Sequence, residues 1–278
     1  MKNKILLDPE QNKILIEKGY IVLDFCDPHE LKIAFDQITK GTTELRLAGN
    51  NHRTIDVSFH CTYLDPDQDY KMAVWKALND LIGPFLQANF ADYKTIQANL
   101  FNKAPGTGVI TPHQNLTTVD EEKYTSVSIW VPLQDTTELN GTLHFAPQSH
   151  GKFERYRNSN IHWAPMDAST EMSAYQMLPV SLKVGQALVF DDSIVHASPD
   201  NKSSENRYVF HYLAIPHEAK PIYCKRVNTE VQLIEVADLF WQTHTPGAPE
   251  PSDPILKTLP FNPRVYTKEV LLHELAKR

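Results

Sequence analysis

The sequence predicts a mainly β protein with α additions, a jelly roll (double-stranded β-helix) buttressed by N-terminal helices. Three observations carry that expectation. Apolar residues recur at three- and four-residue steps in the N-terminal third. After Asp92 the period drops to two, and the period-two segments are short and parted by clusters of Gly, Pro, Asn and Asp. Strands arriving after several helices favour a sheet core with helices stacked on one face. The 278 residues suit a single domain, with a helical part over about 1–92, a jelly-roll core over about 93–216 and a C-terminal extension over about 217–278.

Residues 8–18 have helical spacing and stop at Gly19, and the run 20–25 (Tyr-Ile-Val-Leu-Asp-Phe) reads as a strand. A second helix is expected over 28–40. Residues 41–66 carry Gly41, Gly49, Asn50 and Asn51 amid mixed polarity, the pattern of a long irregular connection that forms lids and substrate loops. Over 66–90 the positions Met72, Val74, Trp75, Leu78, Leu81, Ile82, Phe85 and Leu86 make an amphipathic helix, with Gly83-Pro84 expected to break it near the end. Strands are expected over 95–103, 124–133, 142–146, 187–190, 194–197 and 207–215. Pro246, Pro249, Pro251 and Pro254 read as a linker or surface tail leading to a short helix near 268–277.

Composition narrows the class. With 41% apolar and 22% charged residues, no stretch approaches the ~18 apolar residues of a membrane helix. Ile5, Leu6 and Leu7 are too short a run for a secretory signal, so a cytoplasmic protein is expected, with no membrane partner. Cys26, Cys61 and Cys224 are odd in number, widely spaced and without a C-x-x-C pair, which points to reduced, mostly buried thiols. A net charge of −7 and a pI near 5.9 argue against nucleic acid, whose phosphates need clustered Lys and Arg. A small-molecule substrate is the expected partner, and no feature specifies an oligomeric state.

Alternation over 95–103 puts Thr95, Gln97, Asn99, Phe101 and Lys103 on one side, facing either a ligand cavity or solvent. Residues i and i+2 of a strand share a side, so His113 and Asn115 can meet a common ion while Gln114 cannot. Arg207 shares a strand face with Val209, His211 and Leu213. Its guanidinium can grip a carboxylate two-pronged, or form a surface salt bridge. Ser149-His150 lacks the frame of a nucleophile elbow, Gly106 and Gly108 lack a third glycine, and His217-Glu218 lacks a second His. Asp191 and Asp192 are adjacent and read as turn residues.

These pieces fall in a particular order. His113-Gln114-Asn115 comes first, then Trp130-Val-Pro-Leu133, then Asn140-Gly-Thr-Leu143 with Pro147-Gln-Ser-His150, then His196, and then Arg207 eleven residues on. The order resembles the phytanoyl-CoA dioxygenase family, clearly over about 95–216 and loosely over 19–94. The resemblance implies a cupin-like double-stranded β-helix and an iron(II)/2-oxoglutarate-dependent dioxygenase. Its requirements would be Fe(II), 2-oxoglutarate as cosubstrate and O2, with ascorbate an optional reductant. It implies His113, residue 115 and His196 as metal ligands, and Arg207 with Ser198 on the distal carboxylate of the cosubstrate. Lys103 would support the cosubstrate, Trp130 would pack beside it, and Gln97 would contact cosubstrate or substrate.

The sequence departs from the family pattern at residue 115, where Asn stands for the metal carboxylate. Iron(II) in such sites takes two imidazoles and one carboxylate on a single face. An amide oxygen is a neutral, weaker donor, so iron affinity should fall. Either Asn115 binds through its carbonyl oxygen, or Asp120 or Glu121 swings in, or Asn115 is not the natural residue and was changed to silence turnover, or the protein is a non-catalytic ligand-binding relative. Family members that halogenate leave a small residue here for a halide, and Asn is larger than that. A cupin-type metal-dependent isomerase or hydrolase is a further rival; it would work with zinc and without oxygen.

Overall fold

The computed structural model describes residues 4–48, 57–158, 161, 177–264 and 266–276. Local signals set its helices. Asp8, Asp27 and Asp67 each accept a backbone N–H at a helix start, opening α1 (Pro9–Lys18), α2 (Pro28–Thr39) and, after the four-residue α3 (Glu44–Leu47), α4 (Gln68–Asn89). An Asp there satisfies one of the donors that no helical carbonyl reaches. Contrary to expectation, α4 runs unbroken through Gly83-Pro84. Pro84 cannot bond the Asp80 carbonyl, but Val74, Leu78, Ile82 and Phe85 are buried on either side of it, and tertiary packing carries the helix across.

The strands are β1 (Tyr20–Asp24), β2 (His60–Cys61), β3 (Tyr93–Lys103), β4 (Ile110–His113), β5 (Val127–Pro132), β6 (His144–Phe145), β7 (Leu178–Pro179), β8 (Gln186–Asp191), β9 (His196–Ser198) and β10 (Arg207–Pro216). They form an antiparallel six-stranded sheet, β1-β8-β5-β10-β3-β2, and a four-stranded sheet, β4-β9-β6-β7. Alternation gives the larger sheet two apolar sides. Ala98, Leu100, Ile129, Val131, Phe210 and Tyr212 pack under α1, α2 and α4. Trp130, Leu188, Phe190 and Val209 point the other way, against Phe145 of the smaller sheet and Leu143 just before it. Full burial of such side chains contributes about 1.5–3 kcal/mol each. The result is the jelly roll buttressed by helices that the sequence predicts.

Three further parts differ from the sequence expectation. The connection 41–66 contains α3, the edge strand β2 and a 3-10 turn, Thr62–Leu64; its residues 49–56 lie outside the described residues. β4 went unforeseen because Pro112 interrupts it, leaving only Ile110 and His113 in register with β9. The proline run 246–254 leads not into a tail but into an antiparallel sheet of β11 (Ile222–Val227), β12 (Glu230–Glu235) and β13 (Ile255–Pro260). The hairpin between β11 and β12 turns on Asn228 at φ 55° with no glycine beside it, which hides the usual signal. α5 (Phe240–Thr243) lies in the chain between β12 and β13, and α6 (Lys268–Ala276) packs Leu271 and Leu275 on Phe153 and Val195.

Among the described residues no helix is long and apolar enough to cross a membrane. All three cysteines are free, and burial pushes the Cys26 and Cys61 thiols up to about 12, so they stay protonated.

Candidate active site

Strand register lines up the inward side chains of the larger sheet. Lys103 lies opposite Arg207; Asn99, His211 and Trp130 share a row, as do Gln97, Leu213 and Ser128. Across from them β4 ends at His113, the register partner of His196 at the start of β9. The two ring centroids are 4.2 Å apart. His113 Nδ1 donates to the Thr111 carbonyl at 2.8 Å and His196 Nδ1 to the Ile194 carbonyl at 3.0 Å. A carbonyl only accepts, so each ring carries its proton on Nδ1 and leaves Nε2 with a bare lone pair. Burial pushes both pKa values down, that of His196 well below the usual imidazole range, so both rings are neutral at physiological pH. Neutral imidazoles this close, each oriented by a carbonyl behind it, can share one divalent ion.

Asn115 is fixed from three directions. Its backbone N–H donates to the Asp192 carbonyl at 3.0 Å, and its own carbonyl accepts from Arg157 Nε at 2.7 Å. Its Nδ2 donates to Ser128 Oγ at 2.9 Å and to Asp192 Oδ1 at 2.8 Å. Oδ1 is therefore the side-chain atom left over for a ligand. Of the alternative carboxylates, Glu121 is committed elsewhere, gripping the Arg157 guanidinium with both oxygens, while Asp120 accepts the Glu122 backbone N–H at 3.2 Å and lies 3.8 Å from Lys123. Among the described residues no three His, Cys, Asp or Glu side chains converge where a metal could be held. The polar side chain that accompanies the imidazole pair is the Asn115 amide.

Two cavities meet here. The smaller, about 100 Å³, is lined by His113, Asn115, His196, Trp130, Ser198 and Arg207 among others. The larger, about 230 Å³, shares His113, Asn115, Phe101 and His211 with it and extends to Gln97, Asn99, Tyr63, Leu213 and Trp241. Arg207 is 2% exposed, and its Nε has no hydrogen-bond partner among the described residues. Its guanidinium stands 5.3 Å from the Trp130 ring centre. Burial pulls its pKa down to about 9. A buried guanidinium without a counter-charge is unfavourable until an anion meets it.

Lys103 sits one side chain behind this cavity. Its Nζ donates to the Ser198 carbonyl at 3.2 Å, to Ser198 Oγ at 2.5 Å and to the Pro199 carbonyl at 2.8 Å. Burial and the neighbouring Arg207 pull its pKa down to about 6, against three acceptors that match the full donor set of an ammonium. Ser198 Oγ donates in turn to the Gly141 carbonyl at 2.8 Å. Gly141 has φ 73°, and a Cβ there would come within 2.6 Å of the Pro199 carbonyl, so glycine is required. Gln97 lines the larger cavity, held by a 2.7 Å bond from Nε2 to the Trp241 carbonyl. Seven of the eight side chains singled out from sequence thus line the joined cavities, and Lys103 braces Ser198.

The sequence reading passed over Ser128; it placed Asp192 in a turn, where the structure also has it, but did not foresee that Asp192 is fully buried there. Ser128 Oγ donates to Asp192 Oδ1 at 2.6 Å and lies 3.0 Å from His211 Nε2. With its one proton spent on Asp192, Ser128 accepts from His211, so His211 Nδ1 carries no proton. Burial pushes the Asp192 carboxyl up to about 6 and the His211 imidazole down to about 4. The signal for Asp192 is the alternation Leu188, Phe190, Asp192, which continues an inward face one residue past the strand.

The family model described as phytanoyl-CoA dioxygenase (PhyH) matches residues 26–209. A phytanoyl-CoA dioxygenase of Arabidopsis thaliana is 25% identical over 118 residues, 41% of this chain and 42% of that protein, so the match spans less than half of that relative. The non-heme alpha-ketoglutarate dependent carbocyclase SnoK from nogalamycin biosynthesis has a TM-score of 0.53 at 16% identity, over 77% of this chain and 86% of that one. HygX from Streptomyces hygroscopicus, solved with nickel, 2-oxoglutarate and hygromycin B, has a TM-score of 0.51 at 13% identity, over 76% and 88%. These two likenesses show the fold. The family match spans more than half of the sequence, and the chain belongs to the phytanoyl-CoA dioxygenase family.

Proposed function

We propose that this chain is a non-haem iron(II)/2-oxoglutarate-dependent dioxygenase that hydroxylates a C–H bond of a small molecule, an amino acid or a natural product. One observation carries the reading: two bare imidazole nitrogens and an unpaired buried guanidinium open on the same small cavity. His113, His196 and Asn115 Oδ1 would hold the iron, and Arg207 the distal carboxylate of 2-oxoglutarate. HygX, solved with nickel and 2-oxoglutarate, holds these groups in a similar fold.

When bound, iron with 2-oxoglutarate and oxygen supplies the oxidising chemistry, the cosubstrate leaving as succinate and carbon dioxide. The chain's own work is placement. Carbonyls behind His113 and His196 lock the rings with Nε2 forward. Arg207, its guanidinium beside Trp130, would grip the distal carboxylate of the cosubstrate, and Ser198, held by Lys103 and Gly141, would help hold the same end. The larger cavity, flanked by Phe101, Leu213 and Trp241, would receive the substrate against a mostly apolar wall.

Asn115 favours a second reading, a ligand-binding relative without turnover, because an amide is a weaker donor than a carboxylate to a hard cation. Incubation with iron(II), 2-oxoglutarate and a panel of amino acids and natural products, read as succinate formed, separates the two. Iron-dependent succinate supports the dioxygenase. Binding of 2-oxoglutarate without succinate selects the second reading, and no binding to the iron-loaded protein removes both.

A further inference from the structure

We propose that Asp192 is a positioning residue for the metal site: it supplies, one hydrogen bond behind Asn115, the negative charge that a ligating carboxylate would supply directly. The inference rests on the metal reading of His113, His196 and Asn115 given above.

The geometry is specific. Asp192 Oδ1 accepts from both Asn115 Nδ2 and Ser128 Oγ, and the Asp192 backbone carbonyl accepts the Asn115 N–H. A carboxylate accepts and does not donate, so the amide can meet it only through its nitrogen, and this turns Oδ1 away from Asp192. Ser128 accepts from the same Nδ2, which makes the flipped amide doubly unfavourable. Charge on the acceptor polarises the amide and strengthens its oxygen as a donor to a cation. Asp192 itself is fully buried, and among the described residues its Oδ2 has no hydrogen-bond partner and no Lys or Arg lies within ion-pair distance of it. Its charge therefore has no counter-charge in direct contact; the Arg157 guanidinium, which bonds the Asn115 carbonyl, is felt only across that residue, and a cation on Asn115 Oδ1 would add a second on the cavity side. The Asn115–Asp192 pair acts as one unit, with amide in front and carboxylate behind.

The inference makes an uncommon demand on the obvious repair. Asn115→Asp places two carboxylates in contact at a separation of 2.8 Å in a buried site, so the metal-free protein should lose stability; adding Asp192→Asn exchanges the two groups and should restore it. Two measurements test this. In metal-free melting, Asn115→Asp should lower the midpoint by about 5 °C or more, and Asn115→Asp with Asp192→Asn should recover it. In Co(II) titrations followed by visible absorption, Asp192→Asn alone should weaken binding about 10- to 100-fold. If Asp192→Asn does not fold, Ser128→Ala should weaken binding several-fold instead. Asn115→Asp melting like the parent overturns the proposal. So does an Asp192→Asn protein that melts lower yet binds Co(II) as the parent does, which would mark a merely structural role. A parent that binds no Co(II) sinks the metal reading and with it the proposed role, while the metal-free melts still decide whether the two side chains are coupled.

Discussion

Arg207 shows at the scale of one residue how this chain sets stability against function. Its guanidinium is buried over Trp130 with no carboxylate beside it among the described residues, an arrangement that a packed apolar side chain would improve. Arg207→Met should therefore raise the melting midpoint of the cosubstrate-free protein by about 2–4 °C and abolish the further rise on adding 2-oxoglutarate with iron(II). Thermal melts with and without the dicarboxylate check both halves. His113, His196 and Arg207 were legible in the sequence because strand alternation and motif order constrain each of them. The orientation of Asn115 was not, because the group that sets it lies 77 residues away. Asp192 was read only in part for a related reason: it does stand in the turn after Asp191, but only tertiary packing reveals that it is buried.

At the scale of elements, α4 shows a local rule overridden. Gly83 and Pro84 each disfavour a helix interior, yet apolar contacts before and after them outweigh the lost hydrogen bond. A Cβ added at Gly83 meets nothing within 4 Å, so Gly83→Ala should stabilise by about 0.5–1 kcal/mol, seen as a melting midpoint about 2 °C higher. An unchanged or lower midpoint would mean the helix is not continuous there. The strands with clean alternation, β3 and β10 above all, were placed by sequence to within a few residues. β4 and the sheet of β11, β12 and β13 were not, because proline in one and a glycine-free turn in the other mask the pattern.

At the scale of the whole molecule, two sheets press three imidazoles, His113, His196 and His211, into a common interior, and burial lowers the pKa of each. Unfolded, each titrates near 6.5; folded, His211 does so at about 4. The unfolded chain thus binds more protons across that interval, and stability present above about pH 6.5 is lost as pH falls towards 4. Asp192, raised to about 6, acts oppositely between about 4 and 6, but it is one group against three. Melting midpoints of the metal-free protein should fall by several degrees from pH 7 to pH 5, and a flat profile would contradict the burial of the three rings. The central claim is that His113 and His196 hold one ion beside the Arg207 cavity. Its most direct measurement is an anaerobic titration of the protein with iron(II) and 2-oxoglutarate, followed by visible charge-transfer absorption. The account predicts a band that needs both components and disappears in His113→Ala and in His196→Ala; no band in the parent, or one that survives either substitution, would contradict it.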